Sequence, residues 1–142
     1  MHNILFVCTA NIFRSRFAEE VFNFLAIKEK IPARAFSAGL KVGEYHIRKI
    51  YKPALEQLEK LNIKPKRPNE HSLHINDIEL TKYNQLICMD EAEHKPMVLS
   101  KSKLKEFNFE YWDIIDEPKV QSDVSLPICY NKVKEIVDGL KK

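Results

Sequence analysis

Apolar and polar positions follow two rhythms along the chain. Asn3-Ile4-Leu5-Phe6-Val7 is a short run rich in strand formers. After a polar turn, residues 14–30 change period. Phe17, Val21, Phe24, Leu25 and Lys28 recur at helical spacing, with polar Glu19, Glu20 and Asn23 between them, and Pro32 bounds the helix. Arg34-Ala35-Phe36-Ser37-Ala38 reads as a second strand ending at Gly39. Residues 49–62 carry another helical face through Ile50, Pro53, Ala54, Leu58 and Leu61, and Pro53 suits a first turn, which allows the helix to begin there. Pro65 and Pro68 mark a loop running to about His74, and residues 76–80 read as a short helix capped by Asn76. Gln85-Leu86-Ile87-Cys88-Met89 is a third strand, followed by Asp90 and a helix-compatible stretch. Tyr111-Trp112-Asp113-Ile114-Ile115 is a fourth, and residues 131–140 close the chain as a helix with Val133, Ile136, Val137 and Leu140 on one face.

Strand, helix, strand, helix in this order predicts an α/β fold: a single three-layer domain over residues 1–142, with a four-stranded parallel sheet and helices on both faces. Ligands in such folds bind at the carboxyl ends of strands, beside the first strand-to-helix turn. Cys8 stands at that place.

Composition narrows the picture. At 142 residues with 44% hydrophobic positions, the chain can build one core, and two independent domains are not expected. Three Gly and seven Pro are too few for a low-complexity chain. The formal charge of +3 is scattered, so no nucleic-acid surface is expected; the clusters Lys64, Lys66, Arg67 and Lys101, Lys103, Lys105 read as solvated loop charges. No apolar run reaches the roughly 18 residues of a membrane span. The first residues lack a signal-peptide pattern, which points to a cytoplasmic protein. Cys8, Cys88 and Cys129 form no zinc-ligand pattern with the five histidines, which read as surface or lightly buried, so no metal or cofactor is expected. Cys88 and Cys129 lie inside apolar runs and read as small buried hydrophobes.

Cys8 differs because of its neighbours on the C-terminal side, Thr9-Ala10-Asn11-Ile12-Phe13-Arg14-Ser15. Successive backbone N–H groups in a tight turn make an anion nest, and the start of a helix adds orphan donors and a positive dipole end. Arg14 can grip two oxygens of a phosphate, and the same field favours the thiolate of Cys8, aimed at phosphorus. Ser15 can donate to that thiolate. The plainer readings are a buried cysteine, a solvated arginine, a helix-capping Ser15 and an Asn11 that merely tolerates a left-handed turn.

The string Val7-Cys8-Thr9-Ala10-Asn11-Ile12-Phe13-Arg14-Ser15 resembles the phosphate loop of the low-molecular-weight protein tyrosine phosphatase family. Ser37-Ala38-Gly39 and Ile87-Cys88-Met89-Asp90 are similar to two further family anchors, so the resemblance spans nearly the whole chain. It implies Cys8 as nucleophile of a phosphocysteine intermediate, with Arg14 and the loop N–H groups stabilising the transition state. It implies that Asn11 holds the loop together with Ser37. It also implies a general acid ahead of a proline; Asp116, near Pro118, matches best, with Asp113 as fallback, whereas chance surface carboxylates are the plainer reading. Substrates would be a phosphorylated protein, phosphotyrosine first, or a small phosphate ester; inorganic phosphate would be the product and the protein a monomer.

The chain departs from the family pattern at several positions. Phe13 replaces a second loop cysteine, Arg16 a proline, and Glu117 intrudes before Pro118. Arg16 reads as a solvated charge. Lys119 stands near where the family places a Tyr that packs on an aromatic substrate, Gly43 falls near the other aromatic wall, where Tyr45 can substitute, and Leu73 stands where many members carry Arg. These departures leave two alternatives. One is an arsenate reductase on the same fold, which needs a thiol relay from Cys8 through Cys88 and lacks a third cysteine near residues 91–96. The other is a pseudo-phosphatase that binds a phosphorylated partner without turnover. Without a second loop thiol to shelter it, Cys8 is expected to pass readily to irreversible oxidation states. Prolonged peroxide treatment should leave activity that a thiol reductant does not restore; full recovery would count against this reading.

Overall fold

The computed structural model describes residues 1–43 and 49–141. Four parallel strands form one sheet in the order β2-β1-β3-β4, with β1 His2–Cys8, β2 Ala33–Gly39, β3 Gln85–Cys88 and β4 Phe109–Tyr111. Helices α1 Arg14–Lys28, α2 Lys52–Lys60, α3 Glu91–Leu99 and α4 Ser122–Leu140 supply the outer layers. Strand alternation divides the core in two. Ile4, Phe6, Cys8, Ile87 and Met89 face the layer that contributes Phe17, Phe22, Leu58, Leu126 and Val133 from α1, α2 and α4. Leu5, Val7, Leu86 and Cys88 face the other layer with Val98 of α3. The three-layer expectation therefore holds. Among the described residues, no helix is long and apolar enough to cross a membrane.

Helices α1 and α2 end alike. Lys30 and Asn62 adopt left-handed φ values of 56° and 58°. Behind them Ile31 N–H donates to Ala26 O at 2.8 Å and Ile63 N–H to Leu58 O at 2.9 Å, closing each helix by a Schellman turn. That is why α1 stops two residues before the expected Lys30, and α2 before Asn62. Helix α2 starts at Lys52, with Pro53 in its first turn. The helix expected over 76–80 is instead two single 3-10 turns, Ile75–Asp77 and Leu80–Lys82. The cap of the first is His74, whose Nδ1 accepts Asn76 N–H at 3.1 Å, rather than Asn76 itself. Strand β4 ends four residues earlier than expected because its partner β3 ends at Cys88. Trp112 N–H and Ile114 N–H still donate to Cys88 O at 2.9 Å and Met89 O at 2.7 Å, which carries the chain across the carboxyl end of the sheet. Helix α4 begins nine residues before the expected Asn131. Pro127 hides that start in the sequence, but Leu126, Cys129, Val133 and Val137 form one buried stripe against α1.

The polar positions of α1 hold a second surprise. Glu19 and Glu20 are 1% and 2% exposed, and Arg16, expected in solvent, is fully buried. Arg16 donates to Glu70 O at 3.0 Å and to Arg67 O at 2.5 Å. Arg67, expected as a loose loop charge, pairs with Glu19 at 2.6 and 2.9 Å. The N–H groups of Lys66 and Arg67 donate to Glu20 at 2.8 and 2.9 Å. The 64–73 loop is thus bound to α1 by a buried ionic brace. Removing one partner of a buried pair leaves an uncompensated charge, so Arg67→Ala, which strands the buried Glu19 carboxylate, should cost about 3–5 kcal/mol. Urea unfolding at neutral pH checks this, and a loss under about 1 kcal/mol, the range of an exposed pair, would contradict it.

Candidate active site

Cys8 is the last residue of β1 and Arg14 the first of α1, so the loop between them lies at the carboxyl edge of the sheet. The carbonyls of Cys8, Thr9, Asn11, Ile12 and Phe13 are taken by the surrounding chain. Leu40 N–H donates to Cys8 O, Lys41 N–H to Thr9 O, Tyr51 N–H to Ile12 O and Phe17 N–H to Phe13 O, at 2.5–2.9 Å. Ser72 Oγ donates to Asn11 O at 2.9 Å. In a trans peptide the N–H points opposite to the C=O, so the loop's N–H groups are left for its concave side.

Asn11 is fully buried at φ 58°. Its Oδ1 accepts Leu73 N–H at 3.0 Å, which fixes the amide so that Nδ2 donates to Ser15 Oγ at 2.8 Å. Ser15 therefore keeps its own proton for Cys8 Sγ, 2.9 Å away. Asn11 combines a left-handed turn with hydrogen bonds to Leu73 and Ser15. The expected contact with Ser37 does not form. Ser37 Oγ donates instead to Glu19 Oε1 at 2.5 Å, because the buried carboxylate is the stronger acceptor.

Arg14 is 2% exposed, and its guanidinium is fixed from two sides. Nη1 donates to Ile114 O at 2.9 Å, and Nη2 to Glu93 Oε2 at 3.0 Å with Asp116 Oδ2 at 3.4 Å. Nε has no partner among the described residues. Burial lowers the Arg14 pKa, but Cys8, Glu93 and Asp116 outweigh it and hold the group above its ordinary value.

A cavity of about 280 Å³ is lined by Cys8, Thr9, Ala10, Ile12, Phe13, Arg14, Tyr51, Asp116 and Glu117. Asp116 thus shares a cavity with Cys8, whereas Asp113 does not line it; its side chain is 81% exposed and lies 3.9 Å from Lys132. Burial raises the Asp116 pKa against the pull of Arg14 and of Glu117 N–H, while Glu93 and Glu117 add to the rise. Lys119 lines a neighbouring hollow with Glu93 and Asp116. Leu73 is 41% exposed. Tyr45 lies outside the described residues.

Three contributors were invisible along the sequence. Tyr51 packs edge-on against Phe13 with centroids 5.5 Å apart and walls the cavity. Glu93 reaches Arg14 and Thr9 from α3. His94, expected near the surface, is fully buried beside them. Only long-range contacts create these roles, and no local spacing announces them. Cys88 and Cys129 are buried as expected; burial lifts Cys88 well above the ordinary thiol range and Cys129 up to about 12.

Gly39 is required by close approach. A Cβ there would stand 2.6 Å from Val42 Cγ2, 2.8 Å from Thr9 O and 3.0 Å from Ala10 C.

The family model described as low molecular weight phosphotyrosine protein phosphatase matches residues 3–142. No curated protein sequence matches the chain. Among solved structures, YwlE from Bacillus subtilis superposes with TM-score 0.80 at 20% identity, covering 100% of both chains. Another YwlE structure names that protein an arginine phosphatase. The low molecular weight phosphotyrosine phosphatase VcLMWPTP-2 of Vibrio cholerae O395 gives 0.79 at 16% identity, over 100% of this chain and 98% of the other. An arsenate reductase of Archaeoglobus fulgidus gives 0.71 at 22%, over 95% and 98%.

Gly39→Ala should push the Thr9–Ala10 backbone away from β2, costing about 1–3 kcal/mol of stability as overpacking does. Phosphate binding by calorimetry should weaken with it. Unchanged affinity and stability would show that the loop can give way.

Proposed function

The chain belongs to the low molecular weight phosphotyrosine protein phosphatase family, and we propose that it hydrolyses phosphomonoesters by a metal-independent cysteine mechanism. The observation that carries this is the convergence of Cys8, Arg14 and Asp116 on one cavity.

In the first step the Cys8 thiolate attacks phosphorus. An S–P bond forms as the bond to the leaving oxygen breaks, and Asp116 gives that oxygen its proton. The loop N–H groups and Arg14 hold the three equatorial oxygens as charge spreads over them. In the second step Asp116, now a carboxylate, takes a proton from water as the water attacks phosphorus. The S–P bond breaks, and the Ser15 hydroxyl steadies the departing thiolate. Inorganic phosphate leaves and Asp116 is protonated again.

A phenolate has a conjugate acid of pKa about 10, so protonation matters for a phosphotyrosine substrate. Tyr51, Phe13 and Ile12 offer such a ring an apolar wall, which supports protein phosphotyrosine as the substrate. A second reading is favoured by Glu117, a further carboxylate on the same cavity. It suits a cationic leaving group such as a phosphorylated guanidinium, the class that the name arginine phosphatase gives to YwlE. The arsenate reductase alternative gains nothing, since Cys88 faces the opposite layer from Cys8.

Turnover of para-nitrophenyl phosphate in EDTA should disappear in Cys8→Ser, and Asp116→Asn should lower kcat by about 10²–10⁴-fold, the usual worth of a general acid–base. Because burial raises the Asp116 pKa, its acid form persists to higher pH than an ordinary carboxyl's. The alkaline limb of first-step turnover should lie correspondingly high and vanish in Asp116→Asn. A phosphotyrosine peptide should outcompete a phosphoarginine peptide. The reverse order would change the substrate class and leave the cysteine chemistry standing. Vanadate binding without any turnover would identify a pseudo-phosphatase.

A further inference from the structure

Glu93 Oε2 is the meeting point of three donors. Arg14 Nη2 lies at 3.0 Å, His94 Nε2 at 3.2 Å, and Thr9 Oγ1 makes a short hydrogen bond. His94 is fully buried, and its Nδ1 accepts Asp90 N–H at 3.1 Å. That nitrogen carries no proton, so the ring proton sits on Nε2, directed at Glu93 and at Thr9 Oγ1, 3.1 Å away. Helix α3 therefore holds its own carboxylate in place and uses it to join Thr9, the first residue after the nucleophile, to Arg14 at the far end of the loop.

We propose that Glu93 is the positioning residue of Arg14: a resident counter-ion that fixes the guanidinium and competes with phosphate for it. The proposal rests on the phosphatase reading of Arg14. The place of the charge has two consequences. A carboxylate at 3.0 Å from Nη2 opposes a second anion on the same guanidinium, which keeps product phosphate from lingering. It also divides the charge of Arg14, leaving Asp116 at the longer distance of 3.4 Å. The titratable and charged groups that line hollows with Asp116 are Cys8 from β1, Arg14 from α1, Asp90 and Glu93 at the start of α3, and Glu117 and Lys119 from its own loop. Among them Arg14 favours the ionised acid and Glu93 the protonated one. With Glu93 neutral, Arg14 turns fully to Asp116, and the acid gives up its proton more readily.

Glu93→Gln keeps an acceptor and removes the charge. Phosphate should bind about tenfold more tightly, a conservative share of the Coulomb energy at this separation. With Arg14 less firmly held, kcat should fall while KM falls too. The alkaline limb of kcat should move to lower pH. Phosphate affinity is read by calorimetry in the Cys8→Ser background, so it does not depend on turnover. Absence of turnover in the wild type would sink the phosphatase reading, whereas unchanged phosphate affinity on adding Glu93→Gln would sink this one. A purely structural brace would instead lower thermal stability and raise KM, which also overturns the proposal. Glu93→Asp keeps the charge but shortens its reach. It should lose kcat while phosphate affinity stays within about twofold, and wild-type kcat in this variant would overturn the positioning role.

Discussion

The site depends on one backbone constraint, the left-handed turn at Asn11. A non-glycine residue at φ 58° is tolerable for asparagine, but it needs support in a buried loop. Here every polar group of the side chain is used: Oδ1 takes Leu73 N–H and Nδ2 gives to Ser15 Oγ. The residue's own carbonyl takes the Ser72 hydroxyl. The loop is thus shaped by contacts from a distant segment of the chain, residues 72 and 73. The stretch just before it, residues 66–70, is held by Glu19, Glu20 and Arg16 of α1, so the buried charges of the first helix anchor the loop that supports the turn before it. Two buried carboxylates and a buried guanidinium are costly to desolvate, and they persist because each is met by several donors or acceptors.

The two arginines of Arg14-Ser15-Arg16 show how a helix separates neighbours. Residues two apart on an α-helix point about 200° from one another. Arg14 reaches the cavity, where Cys8, Glu93 and Asp116 more than offset its burial. Arg16 reaches the 64–73 loop, where burial outweighs Glu19 and Glu20 and Arg67 repels it, so its pKa is lowered. One guanidinium meets two carboxylates and a carbonyl at the edge of a cavity; the other is committed to backbone carbonyls. Identical side chains in one turn therefore take up different work, decided by what α1 packs against on each side.

Much of this was legible from local pattern. The strand, the loop from Cys8 to Ser15 and the helix after it are contiguous, so their order alone locates the candidate site. The apolar runs of β1 and β3 fit a sheet covered on both faces, and the structure divides their side chains between two layers. What could not be read depends on contacts across the fold. Arg16 and Glu19 look like surface charges until the 64–73 loop folds over them. Ser37 looks like a partner for Asn11 until Glu19, the better acceptor, is placed beside it. Glu93 and Glu91 are alike in sequence, and only the register of α3 sends one toward Arg14 and leaves the other on Lys95. The start of α4 is masked by Pro127, whose missing N–H the packing against α1 outweighs.

The same sheet geometry bears on which chemistry can come after attack by Cys8. A thiol relay needs a second sulfur able to reach the first as a thiolate. In register, Val7 pairs with Cys88, so Cys88 points with Val7 into the α3 layer while Cys8 points the other way. Burial holds Cys88 well above the ordinary thiol range, and Cys129 at about 12, so neither supplies a thiolate at neutral pH. The group that does share the cavity with Cys8 is a carboxylate whose acid form burial favours. A loop that binds phosphate or its analogues can serve either reaction. The neighbours of Cys8 decide between them, and under the proposed function the group at hand is the Asp116 carboxyl rather than a second thiol.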